Sequence, residues 1–184
     1  MKIGFVGLGN MGTGMANNIL KKIENKSDLF VYTRTLEKIK KFTSEGATGC
    51  TSIKEITTSV DVLLTCLPNV ETSRQLFMGV DGIFEHANSN QVLVDHSTVD
   101  VKTSKDCFES ASSKGLKFLD APISGGPGGA ADGTLTIMVG GEKESFDYAK
   151  DAFSMMGAKI SHMGPSGAGT AMKLVNQLLV STNT

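Results

Sequence analysis

The segment Gly7-Leu8-Gly9-Asn10-Met11-Gly12 constrains this 184-residue chain more than any other feature. It follows a short apolar run, Lys2 to Val6, and opens a stretch, Met11 to Ile23, in which Met11, Met15, Ile19, Leu20 and Ile23 fall at helical spacing. A G-x-G-x-x-G between a strand and a helix gives each glycine separate work. The first makes the tight turn, the second lets a pyrophosphate approach the backbone, and the third lets helix and strand pack closely. Free N–H groups at the start of that helix then face the phosphates of a dinucleotide.

The rest of the chain alternates in the same way. Strands are predicted at Leu29 to Tyr32, Val60 to Leu67 (closed by Pro68), Gln91 to Val94, Lys117 to Leu119, Thr134 to Val139 and Ala158 to Ser161. Between them, helices are predicted at Leu36 to Phe42, Val70 to Phe77, Val101 to Ser112 and Glu142 to Met155, with a last one at Ala168 to Val180. Buried β runs alternating with helices predict an α/β fold with a doubly wound, mostly parallel Rossmann sheet. Apolar residues make up 40%, which the 21 glycines bring to about half, the level of an ordinary globular domain. The length fits one domain with a small appendage.

Charge and cysteine content exclude several classes. Eighteen Lys and Arg against 19 Asp and Glu leave a formal charge of −1, so binding nucleic acid through bulk charge is not expected. No stretch reaches the roughly 20 apolar residues of a membrane span, so no membrane partner is expected. Cys50, Cys66 and Cys107 are widely spaced without a C-x-x-C pair, which fits a reducing compartment. His86, His96 and His162 show no metal-ligand spacing, and no metal is expected. The N-terminus enters the first strand at once, so a cytoplasmic location is expected, or a mitochondrial one if a presequence has been removed.

At the end of the second strand, Val31-Tyr32-Thr33-Arg34-Thr35 speaks to the choice of cofactor. An Asp or Glu there would accept from a ribose 2′-hydroxyl and repel a 2′-phosphate. Thr33 occupies that position, Arg34 follows it, and Thr35 and Lys38 lie close by, so NADP (NADPH) is favoured over NAD. Leu67, Pro68 and Thr98, just past strands, are assigned to the cofactor as well.

Three further segments carry polar groups suited to a small acid. In Asp95-His96-Ser97-Thr98 the paired hydroxyls can bind a carboxylate or cap a helix. Asp120-Ala121-Pro122-Ile123-Ser124-Gly125-Gly126 through Gly133-Thr134-Leu135 reads as a long glycine-rich loop between strands, either an anion-binding nest or a flexible surface loop. Lys173 and Asn176 are three apart on one helical face, among Ala171, Met172, Leu174 and Val175. A lysine there is either a solvated charge or a partly buried one with a lowered pKa, useful in proton transfer.

GFVGLGNMG, DHST, DAPISGG with GTLTIMVGG, and GPSGAGTAMKLVNQLL together resemble the motifs of the β-hydroxyacid dehydrogenases, the family of 3-hydroxyisobutyrate dehydrogenase and the glyoxylate and succinic semialdehyde reductases. The resemblance covers essentially the whole chain. It implies an oxidoreductase that exchanges hydride between a nicotinamide cofactor and a small hydroxy acid or semialdehyde acid. It also implies Lys173 as the catalytic lysine, with Asn176, Ser124, Gly125, Gly126, Ser97 and Thr98 on the substrate. His96 falls at a position that the family leaves variable.

Two departures stand out. Val101 replaces the family's usual Pro, and the sequence stops at Thr184, soon after Lys173. Residues 1–163 are therefore expected to form the NADP-binding Rossmann domain, and 164–184 the start of a long interdomain helix, with the C-terminal helical domain absent. Such a form should bind cofactor and turn over little, while the full-length form is expected to be a homodimer or larger. Two alternatives are a non-catalytic NADP-binding or oligomerisation module, which Lys173 and Asn176 oppose, and a Rossmann-like methyltransferase.

Overall fold

The computed structural model describes residues 1–182. Its strands are β1 (Ile3–Val6), β2 (Leu29–Tyr32), β3 (Thr48–Gly49), β4 (Val62–Thr65), β5 (Val92–Asp95), β6 (Lys117–Asp120), β7 (Ile123–Ser124), β8 (Leu135–Gly140) and β9 (Gly157–Gly164). They make one sheet in the order β3-β2-β1-β4-β5-β6-β8-β7, with β9 also on β8. From β3 to β6 every pairing is parallel. The helices are α1 (Asn10–Lys22), α2 (Leu36–Ser44), α3 (Ile53–Ser59), α4 (Val70–Met78), α5 (Ile83–His86), α6 (Val101–Ser113), α7 (Gly126–Asp132), α8 (Lys143–Met156) and α9 (Ala168–Thr182).

Successive side chains of a strand point to opposite faces, and here both faces are covered. Ile3, Phe5, Val62, Leu64, Val92 and Val94 pack with Met15 and Ile19 of α1 and Phe153 of α8. Val6, Leu63, Leu93 and Phe118 pack on the other side with Ile56 of α3, Phe77 of α4, Phe84 of α5 and Cys107 of α6. The rings of Phe77, Phe84 and Phe118 meet pairwise at 5.2 to 6.0 Å, a tilted and two edge-on contacts. This doubly wound arrangement gives the central strands their unbroken apolar runs.

The chain direction changes after β7. Past a bend at Ala121 and Pro122 the chain continues as β7, and β8 runs antiparallel to both, with Asp120 opposite Gly140 and Ser124 opposite Thr136. The expected long glycine-rich loop is not a loop throughout: Ile123–Ser124 is a strand and Gly126–Asp132 a helix. Pro127 supplies a preset φ in the first helical turn, and Gly133, at φ 69°, closes the last one. Helix α7 rests on α1. A Cβ on Gly14 would meet the carbonyl carbon of Ala130 at 2.8 Å, and the Asn18 amide donates to the carbonyls of Ala130 (2.7 Å) and Ala131 (3.0 Å). Those last-turn carbonyls would otherwise lack partners.

Candidate active site

The turn between β1 and α1 accounts for its three glycines individually. Gly7 has φ 97°, and a Cβ there would lie 2.3 Å from the Cys66 carbonyl oxygen. A Cβ on Gly12 would lie 1.9 Å from the Gly7 carbonyl oxygen, so the helix can approach the turn only without a side chain. Among the described residues, nothing stands within 4 Å of a Cβ on Gly9. That open side is the approach a pyrophosphate needs. Among the described residues no side chain caps α1, so the N–H groups of its first turn are placed to meet an anion.

A cleft of about 780 Å³ extends from this turn. Gly7, Leu8, Gly9, Asn10, Met11, Gly12, Thr33, Arg34, Thr35, Lys38, Leu67 and Pro68 all line it, whereas Thr98 does not. No acidic residue ends β2; Thr33 is half-buried there and Arg34 exposed. The Lys38 ammonium donates to the Leu8 carbonyl at 2.7 Å, which holds a cation against the glycine-rich turn. Arg34 has no ion-pair partner among the described residues. The opposite wall, from α4 and the turn after it, includes Thr72, Gln75, Leu76 and Val80 and was not foreseen. Its sequence signal was the cap: Asn69 Oδ1 accepts from the Thr72 N–H at 2.9 Å, directing the first turn of α4 into the cleft. Cys66 also lines the cleft, but burial, with Asp95 nearby, pushes its thiol up to about 12 and leaves it protonated.

At the end of β5, Asp95 accepts from Thr65 Oγ1 (3.0 Å), the Ser97 N–H (2.9 Å) and the Ser73 hydroxyl. Ser97 is buried, and its Oγ accepts from the Leu67 N–H at 2.9 Å, so it joins the ends of β4 and β5. Thr98 is exposed. Neither hydroxyl caps α6. That cap is Asp100, which accepts from the Thr103 N–H at 2.8 Å and is thereby held below the usual carboxylate range. His96 is buried, at 1% exposure.

Helix α9 brings four of the substrate candidates together. The Asn176 amide donates to Ser124 Oγ at 3.1 Å, beside Gly125 and Gly126. Lys173, one turn earlier on the same face, is 8% exposed and has no hydrogen-bond or ion-pair partner among the described residues. Of the two readings of Lys173, the structure supports the buried one, and burial pulls its ammonium below the ordinary lysine range. The arrangement can bind a dinucleotide along α1 and present a proton donor beside a hydroxyl, an amide and a glycine pair.

Residues 2–164 match the family model described as the NAD binding domain of 6-phosphogluconate dehydrogenase. An uncharacterized oxidoreductase of Bacillus subtilis is 40% identical over 179 residues, covering 97% of this chain and 61% of that protein. The 2-(hydroxymethyl)glutarate dehydrogenase of Eubacterium barkeri is 35% identical over 183 residues, covering 100% of this chain and 60% of that protein. Among solved structures, the 3-hydroxyisobutyrate dehydrogenase of Mycobacterium tuberculosis with L-serine superposes with a TM-score of 0.88 at 32% identity, over 97% of this chain and 60% of that one. The chain thus spans about three fifths of the length of these relatives.

Proposed function

Since the chain belongs to the β-hydroxyacid dehydrogenase family, we propose that it is the cofactor-binding part of an oxidoreductase acting on small hydroxy acids or semialdehyde acids. The observation that carries this reading is the buried Lys173 beside the Asn176–Ser124 pair. When bound, the nicotinamide supplies or accepts a hydride. Lys173 gives a proton from Nζ to the carbonyl oxygen during reduction and takes it back from the hydroxyl during oxidation. A lysine pKa below the ordinary range brings that exchange closer to neutral pH.

Ser124 and the N–H groups of Gly125 and Gly126 hold the substrate carboxylate, with Asn176 fixing the Ser124 hydroxyl and Thr98 as an additional donor. Ser97 contributes by keeping Leu67 in place. The open face of Gly9 and the uncapped start of α1 fit a pyrophosphate. Thr33 and Arg34 favour NADP over NAD, since no carboxylate repels a 2′-phosphate at that position. In this reading residues 1–163 form the NADP-binding unit, residues 164–184 lead out of it, and the whole protein assembles as a homodimer or larger in the cytoplasm or mitochondrion.

The test is turnover of NADPH with short semialdehyde acids by the full-length protein and its Lys173→Ala variant. Removing a general acid typically costs roughly 10² to 10⁴ in rate, so kcat should fall by that range while NADPH affinity is kept. An unchanged kcat would remove Lys173 from the mechanism.

A further inference from the structure

Asp120, the last residue of β6, has a buried carboxylate with no cation paired to it among the described residues. Its partners all belong to the start of α9. Oδ1 accepts from the Gly167 N–H at 2.7 Å, and Oδ2 accepts from the Thr170 N–H at 2.8 Å and the Thr170 hydroxyl at 3.0 Å. Since the single Thr170 hydroxyl proton goes to the carboxylate, the 2.8 Å contact between Ser104 and Thr170 has Ser104 as the donor. Helix α6 therefore joins the same knot.

We propose that Asp120 is a positioning residue for Lys173: by capping the first turn of α9 it fixes the height and rotation at which the lysine ammonium meets the substrate. What Lys173 does there rests on the oxidoreductase reading above. Thr170, Lys173 and Asn176 follow each other at intervals of three, along one helical face. Asp120 holds the first and Ser124 the third, so both ties run from α9 to the same β6–β7 segment and bracket the lysine. A slip of one residue would move Lys173 by about 1.5 Å and turn it by about 100°.

Two glycines make room for this cap. A Cβ on Gly140 would come within 2.6 Å of Asp120 Oδ1, and one on Gly169 within 2.3 Å of the Met138 carbonyl oxygen. Helix α9 can thus sit directly on the sheet. An exposed Asp would cap a helix equally well without the cost of burying a carboxylate, a cost visible here as a pKa raised by burial against the pull of the Gly167 and Thr170 donors. Asp120 acts through position and not through its charge, since burial alone lowers the Lys173 pKa and no neighbouring carboxylate contributes.

The experiment compares full-length wild type with Asp120→Asn, which replaces one of the two acceptor oxygens facing Gly167 and Thr170 by an amide NH2, and with Thr170→Val, which keeps the backbone bond and removes only the hydroxyl. Three quantities are read: kcat and KM with succinic semialdehyde and NADPH, the NADPH Kd, and the Lys173 titration by NMR after ¹³C reductive methylation, assigned with Lys173→Arg. For Asp120→Asn, kcat should fall about 10- to 100-fold. NADPH Kd should stay within about two-fold, and the Lys173 titration should move up towards the ordinary range. Thr170→Val should change both in the same direction by less, and it carries the test if Asp120→Asn does not fold. An unmoved Lys173 titration with unchanged kcat overturns the proposal, and so does an NADPH affinity that falls in step with kcat. If the wild type reduces none of the semialdehydes, the oxidoreductase reading fails while the titration still decides whether Asp120 positions Lys173.

Discussion

Acid should weaken this protein through His96, and the structure sets the size of the effect. The imidazole is 1% exposed, with its ring edge-on to Phe153 at 5.7 Å. Its Nδ1–H donates to the Ala121 carbonyl at 2.7 Å, which leaves Nε2 as a buried lone pair with no partner among the described residues. Charging the ring would place a proton on Nε2 where nothing can accept it. Burial accordingly pulls the pKa down to about 4 from 6.5, although the Ala121 carbonyl and Asp95 act in the opposite direction. Because the folded-state pKa is the lower one, the unfolded chain takes the proton first as pH falls. Stability from this source is complete above pH ~6.5 and is lost as pH falls towards ~4. A gap of about 2.5 units at 1.36 kcal/mol per unit amounts to about 3 kcal/mol by pH ~4. Urea unfolding of wild type and His96→Gln, in which the amide can still donate to Ala121, isolates this share. The stability of wild type relative to the variant should be constant above neutrality and drop by about 3 kcal/mol by pH ~4, since every other ionisable group is common to both proteins. A difference that stays flat over that range would show that the buried imidazole is not held neutral.

Other consequences concern the ligands. NADPH should bind at least about ten-fold more tightly than NADH, from a charge-assisted contact of Arg34 worth roughly 1.5 to 3 kcal/mol, and the gap should narrow with salt. Calorimetry on Thr33→Asp combined with Arg34→Ser should show the order inverted; equal affinities in wild type would mean that Arg34 stays in solvent. Gly12→Ala should weaken NADPH binding by about 100-fold or more, because a Cβ 1.9 Å from the Gly7 carbonyl oxygen forces the turn open. Fluorescence titration showing wild-type affinity would contradict that account of the turn. Semialdehyde methyl esters should be reduced far more slowly than the free acids, and equal kcat/KM values would remove the carboxylate from the role given to Ser124, Gly125 and Gly126.

Much of the sheet was readable because the strands of a sheet covered on both faces are near-continuous apolar runs, as residues 62–64 and 92–94 are. Elements without room for a period were not. Strand β3 has two residues and α5 four. Helix α3 was concealed by Thr57 and Thr58, although Ser52, which accepts from the Glu55 N–H at 3.1 Å, was a legible cap. In α7 three glycines masked a helix that Pro127 and the packing against α1 hold in place. The cofactor turn was legible because its function lies in consecutive residues. Ser97 and Asp120 were not, because what they do depends on partners about 30 and 50 residues away, Leu67 and Thr170.

The contact of Gly14 and Asn18 with α7 bears on modularity. The helix that opens at the glycine-rich turn and the helix that follows Gly125 are fastened together, so they behave as a single mechanical part. A β1–α1 segment transplanted from another dinucleotide-binding protein would bring its own residues to the Gly14 and Asn18 positions. Any side chain at the first would push α7 away, and any non-donor at the second would strand the carbonyls of Ala130 and Ala131. Exchanging that segment to change the cofactor would therefore disturb the β7–α7 segment that bears Ser124. Point changes at the end of β2, on Thr33 and Arg34, avoid the joint and are the better route for redesign.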